Sequence, residues 1–256
     1  MDILSMAFIV IGLTVFEIVS SIDNAVINAE VLGTMSQKAE SIARSTPILM
    51  LGGGVFLLLL FLHWLFIEDK NIGLPTEEFF LQKGAWFYAL ASVILVGIVA
   101  SAINYDPYLA LSAVIGSSAF FITDGFKKNA EENEKKLLSN VNAMSDLSKI
   151  MYLEIIDTTF SIDGVLGAFA FTMSIPLILL GNGIGAIVLR QFTVGNIEKI
   201  KKYVYLKNGA MYSIFFLGIV MILEGFHIEV PEYVSPLVTL VIIAFFFLKS
   251  RAFAKN

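Results

Sequence analysis

Thr46-Pro-Ile-Leu-Met-Leu-Gly52-Gly53-Gly54-Val-Phe-Leu-Leu-Leu-Leu-Phe-Leu-His63-Trp-Leu-Phe-Ile67 runs for 22 residues without a formal charge. A helix of that length spans about 33 Å, enough to cross the roughly 30 Å hydrocarbon core of a bilayer. The stretch is therefore read as a membrane-spanning helix. Its three glycines weaken a helix but permit a neighbouring backbone to come close, or mark an unwound point.

Similar runs fill the rest of the chain. They cover about 3–33, 85–103, 108–123, 150–173, 174–190, 209–226 and 234–249. Of 256 residues, 57% are hydrophobic and only 15% charged, where a soluble domain has about half and a quarter. The fold class expected is an all-α polytopic membrane protein with about seven or eight transmembrane helices. The run 3–33 is too long for one straight span and too short for two. A span with a broken or interfacial extension fits it. Trp86 and Tyr88 open the 85–103 run as interface anchors, and Asn104-Tyr-Asp-Pro107 is a turn signal.

The most polar segment is 124–149, with Lys127, Lys128, Glu131, Glu132, Glu134, Lys135 and Lys136. It reads as a solvated helical linker that divides the chain into a first transmembrane repeat (1–123), a cytoplasmic linker (124–149) and a second repeat (150–256). Lysines crowd the linker, the 190–208 segment and the C-terminal tail. These face the cytoplasm by the positive-inside rule, which puts the C-terminus inside; the membrane expected is the plasma (inner) membrane. Eight spans would place the N-terminus inside and make the repeats parallel; seven would place it outside and invert them. Lys70 and Lys83 favour eight.

The net charge of −5 is modest, and no basic patch or nucleic-acid module is present. With no cysteine, disulfides and thiolate metal sites are excluded. The start lacks a basic n-region, so no cleavable signal peptide is expected.

Two apolar runs carry a repeated acidic motif. The first copy is Glu17-Ile-Val-Ser-Ser21-Ile-Asp23-Asn24-Ala-Val26; the second is Asp157-Thr158-Thr-Phe-Ser161-Ile-Asp163-Gly164-Val-Leu166, with Glu154 one turn before it. A second match lies one element downstream in each half: Ser45-Thr-Pro47 leading to Gly52-Gly-Gly54, and Ser174-Ile-Pro176 leading to Gly181-Asn182-Gly183. Two matches in the same order point to an internal duplication.

Intramembrane carboxylates are costly and mark function by default. On a helix, Glu17 and Asn24 share a face, as do Glu154, Asp157 and Ser161, whereas Asp23 and Asp163 fall about 120° away. A helix break near Ser-Ile-Asp would let freed carbonyls join the acids. Every group is a hard oxygen donor, a set that suits Mn²⁺, Mg²⁺ or Ca²⁺. His63 and His227 lie far from the motifs in sequence. The five carboxylates Glu17, Asp23, Glu154, Asp157 and Asp163 would carry −5 if all were ionised, and one divalent cation would leave −3. No Lys or Arg stands inside either motif. Unpaired carboxylates in low dielectric bind protons instead, so protons and metal are expected to compete, as in proton-coupled antiport.

The pattern Glu17-x-x-x-Ser21-x-Asp23-Asn24-Ala25, followed by Glu154-x-x-Asp157-x-x-Phe160-Ser161-x-Asp163, resembles the TerC family of integral membrane proteins, in its branch reading Ser-x-Asp-Gly. The likeness covers most of the chain. It implies a manganese-type metal exporter of the lysine-exporter superfamily, with inverted repeats. The metal site would be Glu17, Asp23, Asn24, Glu154, Asp157 and Asp163, with Ser21, Thr158 and Ser161 as secondary ligands. Gly164 departs from the Asn or Ser often found there. The export direction comes from the resemblance alone.

The partners expected are lipid, a divalent cation as substrate and protons, with a homo-oligomer or other membrane proteins left open. No nucleic acid, enzyme cofactor or catalytic activity is expected. The plainer role for each acid is a structural polar residue bonded between helices. For the hydroxyls it is a bond to backbone. Asn28 and Asn182 are balanced between packing and function. An intramembrane aspartyl protease, whose two carboxylates share a proton, is the alternative from another class, but it needs two acids and not five. An assembly partner for membrane proteins with a structural metal is the third.

Overall fold

The computed structural model describes residues 3–20, 39–70, 74–138, 162–200 and 203–253, with side chains at 3–19, 46–70, 74–126, 128, 164–188 and 203–253. Every regular element among the described residues is an α-helix. They are α1 (Ile3–Ser20), α2 (Ala39–Phe66), α3 (Pro75–Leu81), α4 (Trp86–Ile103), α5 (Pro107–Leu138), α6 (Ile162–Phe169), α7 (Ile175–Ile200), α8 (Leu206–Gly225) and α9 (Val234–Phe253).

Five stretches are long and apolar enough to cross a membrane: Thr46–Phe66, Trp86–Ile103, Pro107–Phe126, Leu206–Gly225 and Val234–Phe253. Two shorter apolar helices, Ile3–Val19 and Ile175–Val188, accompany them. Lipid contact is legible on α4, where Val93 and Val96 are exposed. Exposed Trp86 and Tyr88 stand at one end of α4, and exposed Tyr105 and Tyr108 follow its other end. From Trp86 to Tyr105 a helix rises about 28 Å, close to the roughly 30 Å of hydrocarbon between two aromatic belts. The chain is an all-helical, multi-pass integral membrane protein.

α2 stands at the centre, and its glycine triplet shows how. A Cβ on Gly52 would lie 2.9 Å from the Ser112 carbonyl oxygen of α5. One on Gly53 would meet Met221 of α8 and Leu166 of α6, and one on Gly54 would lie 2.8 Å from the Gly218 carbonyl oxygen of α8. Successive helical residues point about 100° apart, so three glycines open α2 toward three neighbours. Lipid tails are as apolar as leucine, so close van der Waals approach takes the place of hydrophobic burial in holding such helices together.

Contacts fix the helix directions. Gly12 and Val19 of α1 meet Pro236 and Ile243 of α9, so these two run parallel. Gly209 of α8 packs on Phe246, and the Tyr205 amide bonds Ser250, so α8 is antiparallel to α9. Gly225 lies on Leu51 and Gly218 on Leu57, so α2 opposes α8. It follows that α1 and α2 run the same way, with Ser20 and Ala39 at opposite ends of the bundle. Ile3 and Phe253 are at opposite ends too. Of the two counts left open, eight spans would return both termini to one side, so opposite ends accord with seven. The elements of the downstream sequence match, α2 and α7, share a direction, unlike the inverted pair that the resemblance implied.

α5 continues unbroken through the expected boundary at 123/124. Its helix-forming Lys and Glu residues carry it onward, with Asp124 and Lys128 paired across one turn at 2.6 Å. The link 68–83 holds the short helix α3, docked by its own acid. The fully buried Glu77 carboxylate accepts bonds from the Leu74 amide (2.8 Å) and the Asn208 amide of α8 (2.7 Å). Nearby, the Lys70 ammonium donates to the Trp64 and Leu65 carbonyls that end α2. Burial pulls the Lys70 pKa down, against the upward pull of Glu77 and Glu68. Glu77→Ala should cost about 1–3 kcal/mol, because it strands the buried Asn208 amide. Denaturant titration in detergent, with trypsin cleavage after Lys70 and Lys83 as local probe, checks this. Unchanged stability and cleavage would show that α3 is not held by this bond.

Candidate functional site

The acidic site is built from α1 outward. Glu17 is fully buried in α1, inside a run whose apolar faces meet α6, α7, α8 and α9. The neighbour against it is α7. A Cβ on Gly185 would sit 2.7 Å from the Glu17 Cβ, and one on Gly181 would sit 2.5 Å from the Leu13 Cβ. Gly181 and Gly185 are one turn apart, as are Leu13 and Glu17, so α7 runs parallel to α1 along a small-residue stripe. The Thr14 hydroxyl lies 2.8 Å from the Val10 carbonyl and 3.1 Å from the Gly181 carbonyl, and ties the two helices.

α6 approaches the same part of α1 from another side. Gly167 faces the Phe16 ring, and Phe171 stacks obliquely on Phe16 with centroids 5.6 Å apart while reaching Gly12. The order Gly167–Phe16, Phe171–Gly12 makes α6 antiparallel to α1. Position 163, one turn before Gly167, is thereby carried toward the Ser20 end of α1, the end where Glu17 lies.

Of the residues expected at the site, Glu17 is described with its side chain and Asp163 by its place in α6. Asp23, Asn24, Glu154 and Asp157, with Ser21, Thr158 and Ser161, lie outside the described residues. Among the described residues, no three His, Cys, Asp or Glu side chains gather in a way that could hold a metal.

The opposite end of the bundle carries acids that no motif marked. A cavity of about 790 Å³ is lined by Thr46, Pro47, Glu224, His227, Glu229 and Glu232. A second, of about 320 Å³, shares Glu224 and Glu232 and reaches inward to Met50, Thr172, Ser174 and Ser235. His227 shapes the mouth. Its φ of 62° ends α8 in the left-handed region, with the Ile228 amide bonded to the Leu223 carbonyl at 2.9 Å, a Schellman-type stop. Glu229 and Glu232 sit in the short loop after α8 and Glu224 in the last turn of that helix, and all three line one mouth. Asn182 is likewise buried on α7. Its signal was a lone amide among glycines in an apolar run.

The family described as "Protein of unknown function (DUF475)" matches this chain over residues 6–256. The chain is 24% identical over 168 residues to "Uncharacterized membrane protein RP786" of Rickettsia prowazekii (strain Madrid E), a match covering 62% of this chain and 54% of that protein. It is 30% identical over 85 residues to "Uncharacterized membrane protein YceF" of Bacillus subtilis (strain 168), covering 33% of each. The chain thus spans about half or less of the length of these curated relatives. No solved structure matches. A family match over nearly the whole sequence, with relatives themselves named membrane proteins, agrees with the lipid-facing helices and their aromatic ends: the chain belongs to the DUF475 family.

Proposed function

We propose that the protein is a transporter, not an enzyme, that exports divalent metal cations through an intramembrane acidic site. Manganese is the first substrate to test, with Ca²⁺ or Mg²⁺ as alternatives. The observation that carries this reading is Glu17: a carboxylate with 0% exposure, inside a bundle of lipid-facing helices. A buried acid there marks a pathway or relay. Glu17, Asp23 and Asn24 from one motif, and Glu154, Asp157 and Asp163 from the other, supply the ligands, with Ser21, Thr158 and Ser161 in support. The resemblance to the TerC family suggests manganese and the outward direction. Excess carboxylates over one divalent charge favour exchange against protons.

Orientation follows from charge. Lys70, Lys83, Lys128, Lys207, Lys249 and Arg251 lie at the Ser20 end, and Glu224, Glu229 and Glu232 at the other. Arg44, in α2, is the exception. The positive-inside rule then makes the Ser20 end and the C-terminus cytoplasmic, and the acid-lined cavity opens outside. Such a mouth concentrates cations by its field.

The test is Mn²⁺ flux in proteoliposomes, wild type beside Asp23→Asn and Asp163→Asn, with and without an imposed pH gradient. Flux in the wild type that is lost in both variants, with folding intact, supports one shared site. Equal flux in all three sinks that site, and no flux in any favours an assembly partner instead. Flux indifferent to the gradient removes the proton coupling alone.

A further inference from the structure

We infer that Asn182 supplies a further oxygen ligand, its amide carbonyl, to the divalent cation bound at Glu17. This rests on the transport reading above. Asn182 is 2% exposed. Neither its amide nitrogen nor its carbonyl oxygen has a hydrogen-bond partner among the described residues. Buried polar side chains are nearly always paired with protein or ordered water. At membrane depth the pressure is greater, since lipid offers no partner. An amide held there with both ends unmet is suited to a partner that is not part of the chain.

Its location says which partner. Gly181, the residue before it, and Gly185, three after it, hold α7 against Leu13 and Glu17 of α1. Asn182 therefore sits on the flank of that stripe, at the height of Thr14 to Glu17. The flank is an interior one. Ile178 and Ile175, four and seven residues earlier on the same side, are buried in the core cluster that includes Phe16. The lipid side of α7 is marked instead by exposed Leu180, Ile184 and Ile187. A ligand at this height must suit the Glu17 carboxylate as well as the amide. An anion or an apolar group does not. A hard divalent cation accepts both donors, since Asn carbonyls and carboxylates are its ordinary ligands. The amide also adds coordination without adding charge to a site already rich in acids.

The experiment uses the full chain in detergent, wild type, Asn182→Leu and Asn182→Asp. Mn²⁺ affinity is measured by calorimetry, and thermal unfolding is followed with and without Mn²⁺. Asn182→Leu should bind Mn²⁺ at least about tenfold more weakly, by comparison with the 10–100-fold cost of losing even an outer-shell partner. Its metal-free unfolding temperature should not fall, because an unpaired amide leaves an apolar site. Folded Asn182→Asp should keep Mn²⁺ binding but make it more steeply pH-dependent, as a carboxylate replaces an amide. Wild-type affinity in Asn182→Leu would overturn the inference and leave the transport reading standing. So would unchanged affinity and pH dependence in Asn182→Asp, the decisive variant if the leucine protein does not fold. A wild type that binds none of Mn²⁺, Ca²⁺ and Mg²⁺ would overturn both.

Discussion

Replacing Gly54 with leucine should destabilise the protein by about 3 kcal/mol or prevent its folding, the upper range for forcing extra volume into a packed site. The Cβ alone would lie 2.8 Å from the Gly218 carbonyl oxygen and 2.9 Å from the Ile222 amide nitrogen. Both are backbone atoms of α8, so neither can turn aside, and the two helices with the most extensive interface among the described residues would have to part. Gly53→Ala is the built-in contrast. Its Cβ would meet the Met221 methyl at 2.6 Å, the far end of a flexible thioether. Alanine also has a helix propensity better than glycine by about 1 kcal/mol, so this change should be near neutral. Unfolding titrations in mixed detergent give both numbers. Similar costs at 53 and 54 would mean that α2 and α8 do not pack as described.

Glu17→Gln should cut Mn²⁺ flux at least about tenfold, since it removes a charged ligand whose mere positioning partners are worth 10–100-fold elsewhere. Stability should move the other way. A neutral amide of the same shape is cheaper to bury than a carboxylate, so the metal-free protein should unfold at the same temperature or higher. That opposition separates a functional acid from a structural one: a residue needed for packing would lose stability and activity together. Flux in proteoliposomes and thermal unfolding in detergent, on one preparation, read both. Full flux in Glu17→Gln would remove Glu17 from the pathway and with it the observation that carries the proposed function.

Much of the fold was legible because lipid imposes a simple rule. Each span must be a helix of nearly fixed length, so α4 begins at Trp86 and α8 and α9 lie within a few residues of the apolar runs at 209–226 and 234–249. The change from apolar run to polar linker at 123/124 falls within one helix, because a helix leaving the membrane changes composition without changing conformation. The pair Asp124–Lys128 supports one continuous helix where hydropathy shows two segments. Of the site, Glu17 could be found by its cost alone. The acids at Glu229 and Glu232 could not, since a carboxylate in a polar loop costs little and carries no sequence signal, and Glu224, at the very end of the 209–226 run, belongs to neither acidic motif.

The amino-acid sequence by itself determined the class, the approximate spans and the identity of the residues too polar for their surroundings. Those properties depend on each residue's free energy of transfer between water and lipid, which is local. Which helix meets which, and in what direction, only the tertiary structure decided. Spans apolar on every side carry no stripe to choose a partner. The choice falls to where small residues let backbones touch: Gly52, Gly53 and Gly54 toward three helices, Gly181 and Gly185 toward Leu13 and Glu17. The same contacts run α1 parallel to α2, put Ile3 and Phe253 at opposite ends, and bring α6 alongside Phe16. None of this is written in hydropathy, because hydropathy is the same read from either end of a helix.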